Sequence, residues 1–169
     1  MPISMYSASV PVLEQMLGSL AAILRKAEAH AAERKIEPDA LLQARLAPDM
    51  FPLTRQVEIA CDFARGIAAR LAGQETLSIP DGHRSFEALQ ELIAKTLAFV
   101  RSVPAAAFER SEDREIVLRP GTPKEKRLGG QAYLLGYGLP QFFFHVTTAY
   151  ALLRYNGVEV GKLDFMGAS

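Results

Sequence analysis

Apolar residues at Tyr6, Val10, Leu13, Leu17, Leu20, Leu24 and Ala27 recur alternately four and three positions apart. That spacing lines one stripe of a long helix and suits bundle packing. Glu14, Arg25, Lys26 and Glu28 fall off the stripe and are expected to face water. Glu37-Pro38-Asp39 breaks the pattern, and residues 39–44 fit a short extra turn. A second helix is expected to start near Pro52, where the missing proline N–H would be unpaired anyway. Asp49 is placed to cap it or to sit in the loop that leads in. Leu53, Val57, Ala60, Ala64, Ile67, Ala68 and Leu71 form its apolar face, and Gly73 ends it. Its many alanines predict a closely approaching neighbour. A third helix follows, with Ser85 as N-cap, Phe86, Leu89, Ile93, Leu97 and Val100 as its stripe, and Pro104 closing it.

The pattern then changes. Glu115-Ile116-Val117-Leu118 reads as a strand and Pro120-Gly121-Thr122-Pro123 as a turn, which predicts a small hairpin or extended crossover. Residues 131–135 fit a helical turn. A last helix is expected from about Leu139 to Tyr155, with Asn156-Gly157 as a left-handed cap. Beyond it, Val158, Leu163, Phe165 and Met166 suggest a tail packed back on the body. The sum is an all-α four-helix bundle occupying residues 1–169 as one domain.

Composition narrows the function classes. Lysine plus arginine and aspartate plus glutamate number 19 each, so no excess positive charge points to nucleic acid or an anionic membrane surface. The densest basic run, Lys124-Glu125-Lys126-Arg127, is acid-interrupted and reads as a solvated turn. Cys61 is the one cysteine; it fits a reducing compartment and, on the apolar side of a helix, a buried thiol. No basic segment precedes the N-terminal apolar residues, and the apolar run 142–153 is too short for a bilayer. The expected location is the cytoplasm.

Candidate chemistry centres on the last helix. On a helical wheel Phe142, His145, Val146, Ala149, Leu152 and Leu153 share one side, while Thr147 and Arg154 point away. His145 thus faces the bundle interior, either as a hydrogen-bonded core histidine or as a pocket group that binds, takes a proton or ligates a metal. Gln56, within the apolar arc of the second helix near Ala60, Phe63 and Ile67, is its expected partner. Glu58 and Asp62 project toward the opposite side. His30 and His83 read as surface residues. The three histidines match no local metal spacing, no glycine-rich phosphate loop is present, and no serine lies in a G-x-S-x-G turn. Asp49, Glu58 and Asp62 are too few and too variously oriented for a di-iron carboxylate site.

Four strings carry a family resemblance: Tyr6-Ser7-Ala8-Ser9-Val10-Pro11; Arg45-Leu46-Ala47-Pro48-Asp49-Met50-Phe51-Pro52-Leu53; Phe142-Phe143-Phe144-His145-Val146-Thr147-Thr148-Ala149-Tyr150; and Asn156-Gly157-Val158 through Gly161-Lys162-Leu163-Asp164-Phe165. Over essentially the whole chain, the sequence resembles an uncharacterised bacterial family, a domain of unknown function, within the DinB/YfiT-like superfamily. The resemblance implies a DinB-like four-helix bundle with a long crossover before the last helix, often dimeric. Many superfamily members hold a divalent metal with one histidine on the second helix and a HxxxH-type pair on the fourth, and some are transferases or hydrolases dependent on mycothiol or bacillithiol. His145 matches the first histidine of that pair, but position 149 is alanine and the second helix has no histidine. The usual metal site is therefore expected to be lost, with His145 its one remaining candidate ligand and no cofactor.

Three roles follow as expectations. The first is binding of a small ligand or partner in an intra-bundle cavity near His145, with Gln56, Asp49 and Tyr6 as further candidates. The second is a residual thiol-dependent transferase or hydrolase using His145 as acid/base or metal ligand. The third is a purely structural or dimerisation role, for which the alanine-rich faces suit a homodimer. No membrane or nucleic-acid partner is expected.

Overall fold

The computed structural model describes residues 3–167. Four long helices, α1 (Val10–Glu33), α3 (Leu53–Ala72), α4 (Phe86–Ser102) and α6 (Leu139–Tyr155), form the body. They pack in a ring, α1 against α4, α4 against α3, α3 against α6 and α6 against α1. Short helices α2 (Pro38–Leu42), α5 (Gly130–Tyr133) and α7 (Lys162–Met166) fill the connections. The α1 stripe from Val10 to Ala27 is buried, whereas Tyr6 lies in the turn before the helix. Ser85 caps α4 by accepting from the Ala88 N–H at 3.0 Å.

Helix α3 starts at Leu53, with Pro52 as its N-cap residue and no side-chain cap. Asp49 therefore does not cap it and stays in the exposed loop. Gly73 closes the helix with φ of 70°, a conformation that costs glycine little. The predicted apolar face of α3 is wholly buried, but burial extends well beyond it. Glu58 is 4% exposed and Arg65 1%, so the side expected to face water is covered there, while Asp62 stays half-exposed as expected. The 74–85 segment and α4 cover Glu58 and Arg65, as the bonds from Arg65 to Leu77 and Thr96 and from Gly82 and His83 to Glu58 record.

The crossover is an antiparallel hairpin of β1 (Glu115–Leu118) and β2 (Lys126–Gly129), pairing Ile116 with Leu128. Ile116 and Leu118 turn inward. From Gly130 the chain becomes helical and runs through one π-helical turn, Leu134–Gly138, directly into α6. Gly138 is where this turn meets α3: an added Cβ would stand 2.8 Å from Cγ1 of Ile67, closer than packed atoms tolerate. Such single π turns inside helices often mark functional positions.

Gly157 takes the left-handed conformation after α6, while Asn156 does not. The tail does fold back, but not through all four expected residues. Val158 is buried and Phe165 packs edge-on against Tyr150 at 5.8 Å, whereas Leu163 is 84% and Met166 45% exposed. Polar contacts replace the missing apolar ones: Lys26 pairs with Asp164 at 2.6 Å and Gln15 donates to the Met166 carbonyl at 2.7 Å. No helix among the described residues is long and apolar enough to cross a membrane.

Candidate functional site

Helical periodicity brings Gln56 of α3 and His145 of α6 face to face. His145 Nδ1 lies 2.7 Å from Gln56 Oε1, in a buried contact. The Gln56 amide nitrogen donates to the Phe51 carbonyl at 3.1 Å, which leaves its oxygen as acceptor. His145 must then carry its proton on Nδ1, and Nε2 holds the free lone pair. Nε2 has no hydrogen-bond partner among the described residues, yet it is not among their buried unpaired side-chain atoms. Phe63 stacks on the imidazole with centroids 6.1 Å apart, and Phe144 meets it edge-on at 5.1 Å. Burial, aided by the nearby Arg55 charge, pushes the imidazole pKa down to about 4. At neutral pH His145 is uncharged.

Phe63 connects this pair to a recess on the flank of the bundle, rather than an enclosed cavity between helices. The recess has a volume of about 330 Å³ and is lined by α3, the end of β1 and the π turn. Phe63, Ile59 and Leu118 give it an apolar floor; Arg55, Arg70, Arg119, Asp62 and Tyr137 give it polar walls. Tyr137 meets Phe63 edge-on at 6.0 Å. Tyr133, one turn earlier, is fully buried and accepts from Arg70 Nη1 at 3.2 Å. Burial raises the Tyr133 hydroxyl pKa against the pull of Arg70, so it remains a neutral phenol.

The opposite flank of α3 is a second polar cluster that the helical wheel missed. Glu58 Oε1 accepts from the Gly82 and His83 N–H groups at 2.7 and 3.0 Å and lies 2.8 Å from His83 Nδ1. Its other oxygen accepts from Arg55 at 3.2 Å. Burial alone would raise this carboxyl, but the His83, Gly82 and Arg55 hydrogen bonds hold it below its usual range. His83 is accordingly a half-buried clamp and not a surface residue. Further along, Arg65 donates to the Leu77 carbonyl at 2.9 Å and Thr96 Oγ1 at 2.7 Å, and pairs with Asp62. Cys61, beside Thr96, is fully buried, and burial pushes its thiol up to about 12. It is no nucleophile.

The remaining sequence candidates stand apart. Tyr6 packs edge-on against Phe108 at 5.4 Å, in a recess lined by Ser4, Ala105, Ala106, Phe108 and Glu109. His30 borders a further recess with Lys26, Glu33 and Arg34. For a metal of the superfamily kind, the donor set does not fit: Ala149 occupies the position four after His145 and is buried. No group of three or more His, Cys, Asp or Glu among the described residues could hold an ion, and one neutral imidazole is too few ligands.

Comparison with known proteins agrees with this frame. A crystal structure described as a DinB family member protein from Shewanella denitrificans is 40% identical, with a TM-score of 0.91. The match covers 97% of this chain and 92% of that one. No curated protein matches. The sequence pattern of the domain of unknown function DUF1993 matches residues 5–166, and the chain belongs to that family, a DinB-like one.

Proposed function

We propose that the protein binds a small molecule in the flank recess beside the Gln56–His145 pair. One observation carries this reading: the floor of the recess, Phe63, is stacked on a histidine whose outer nitrogen has no partner. Glu58 and Arg65, by contrast, spend their hydrogen-bonding capacity within the fold. The recess also has the size of a small-ligand pocket, an apolar floor and a few convergent polar groups. His145 acts here as a neutral hydrogen-bonding and stacking group. A base whose pKa lies near 4 takes up protons poorly at neutral pH, so the residual-enzyme reading is weaker.

The test is a panel of neutral and charged aromatic fragments followed by ¹H–¹⁵N NMR. Saturable shifts at Ile59, Phe63, Leu118 and Tyr137, altered by His145→Asn, are expected. Shifts confined to other recesses, or none at all, would remove the proposal. A second reading rests on Phe51 and Phe144, which adjoin the pair and are 53% and 54% exposed: this face would join two copies. Light scattering should then show a dimer that Phe144→Ser disperses.

A further inference from the structure

We infer that the recess reads negative charge, and that its ligand is a small organic oxyanion, a carboxylate or a phosphate monoester, with a short apolar body. This rests on the ligand-binding reading above and adds the chemical class. Several charges around the recess are already neutralised. Arg55 pairs with Asp81 at 2.6 Å and with Glu58 at 3.2 Å. Asp62, the single carboxylate on the wall, is paired with Arg65. Arg70 and Arg119 remain. Neither has a carboxylate within ion-pair distance among the described residues.

The fold holds the Arg70 guanidinium in place and sets the Arg119 backbone at the rim. Arg70 lies along α3, its Nη1 donating to the Tyr133 hydroxyl and its guanidinium 5.9 Å from the Tyr133 ring centre. Gly66 makes room for it: a Cβ at that position would occupy the place of Arg70 Nη1. Arg119 follows β1 with φ of 51°, the left-handed region that ordinary side chains avoid. That backbone sets Arg119 on the rim immediately after Leu118, the buried floor residue. One fixed guanidinium and a second on the rim, neither paired with a carboxylate, over an aromatic floor match an oxyanion head and an apolar body. The Tyr137 side chain adds a hydroxyl on the same wall.

The experiment titrates benzoate, phenyl phosphate and the uncharged isostere benzamide into the full chain, followed by NMR at Leu118, Arg119 and Tyr137. At least one of the two anions should bind, with benzamide at least about tenfold weaker, the discrimination that a charge-assisted hydrogen bond supplies. Tighter binding of benzoate marks a carboxylate site, and of phenyl phosphate a phosphate site. Arg70→Met and Arg119→Met should each weaken the anion about tenfold, and Gly66→Ala should do so without altering net charge, by displacing Arg70. Arg34→Met, the same charge change in a different recess, should leave affinity unchanged. Equal binding of benzamide and benzoate would overturn the charge inference while the ligand-binding reading stood. Anion binding that Arg34→Met weakens as much as Arg119→Met would show diffuse surface attraction and overturn it too. Saturable binding of none of the probes at these residues would remove the oxyanion site, and a neutral fragment binding there would still leave the broader reading intact.

Discussion

The two flanks of α3 are both polar, both partly buried and built from the same residue types, yet they use their hydrogen-bonding capacity differently. On the flank toward the 74–85 segment, Glu58 and Arg65 make contacts from both carboxylate oxygens and all three guanidinium nitrogens. Toward α6, His145 uses one ring nitrogen of two, and Arg70 and Arg119 have no carboxylate partner. Saturated groups hold a fold together; groups with spare capacity on an open recess are available to something else. Chemical type alone would have ranked Glu58, Asp62 and His83 as the likelier site, and the contacts reverse that ranking.

The largest effect is expected at Arg65. Arg65→Leu should lower unfolding free energy by about 3–5 kcal/mol, because the Leu77 carbonyl and the Thr96 hydroxyl both lose a charged donor, measured by urea denaturation. A loss under about 1 kcal/mol would mean the saturated flank does not hold the fold.

Acid should act next, through His145. Its folded pKa, about 4, lies below the ordinary 6.5, so the unfolded chain binds the extra proton between those values. Stability from this group is complete above pH 6.5 and is lost as pH falls toward 4, by about 3 kcal/mol. Urea midpoints taken across that window should slope, and His145→Phe should flatten the slope. Glu58 has the depressed carboxylate pattern, so its contribution is lost at lower pH, through its folded pKa. That separates the two flanks on one titration axis.

A milder perturbation is Glu58→Gln, which keeps the shape but removes the charge accepting from Gly82 and His83. About 1.5–3 kcal/mol should be lost, with faster amide exchange at Gly82 and His83 and little change at Phe63. Smallest of all, Arg119→Asn should leave stability within about 0.5 kcal/mol of the parent, since the arginine is exposed and asparagine tolerates its positive φ. A large loss there would make Arg119 a structural residue like Arg65.

The bundle was legible in sequence because α1, α4 and α6 each repeat apolar residues at helical spacing along one stripe. Gln56 opposite His145 was legible for the same reason, as two polar residues inside two facing apolar arcs. Glu58 and Arg65 were not, because the wheel assigns the side opposite the apolar face to solvent. Here an aperiodic segment covers that side, and no local spacing announces it. A signal existed in Arg55, Glu58, Asp62 and Arg65, which repeat at three, four and three positions with two carboxylates between two arginines, a self-paired stripe. The recess was unreadable in principle. It joins the end of a strand, a helix flank and a π turn whose proximity is set only by tertiary packing. The tail shows the reverse error, where apolar residue type suggested burial and Leu163 nevertheless points outward.

The π turn before α6 amounts to a one-residue insertion within a continuous helix. Every residue upstream of it is rotated by about 100° about the axis relative to an uninterrupted α-helix. Removing one residue between Leu134 and Gly138 would restore regular winding, and one of two segments would have to turn. Either His145 would leave Gln56, or Tyr133 would swing its hydroxyl away from Arg70. The His145–Gln56 pair and the Tyr133–Arg70 contact are therefore phased against each other by a single peptide unit, so chain length at this point shapes the site as much as any side chain does.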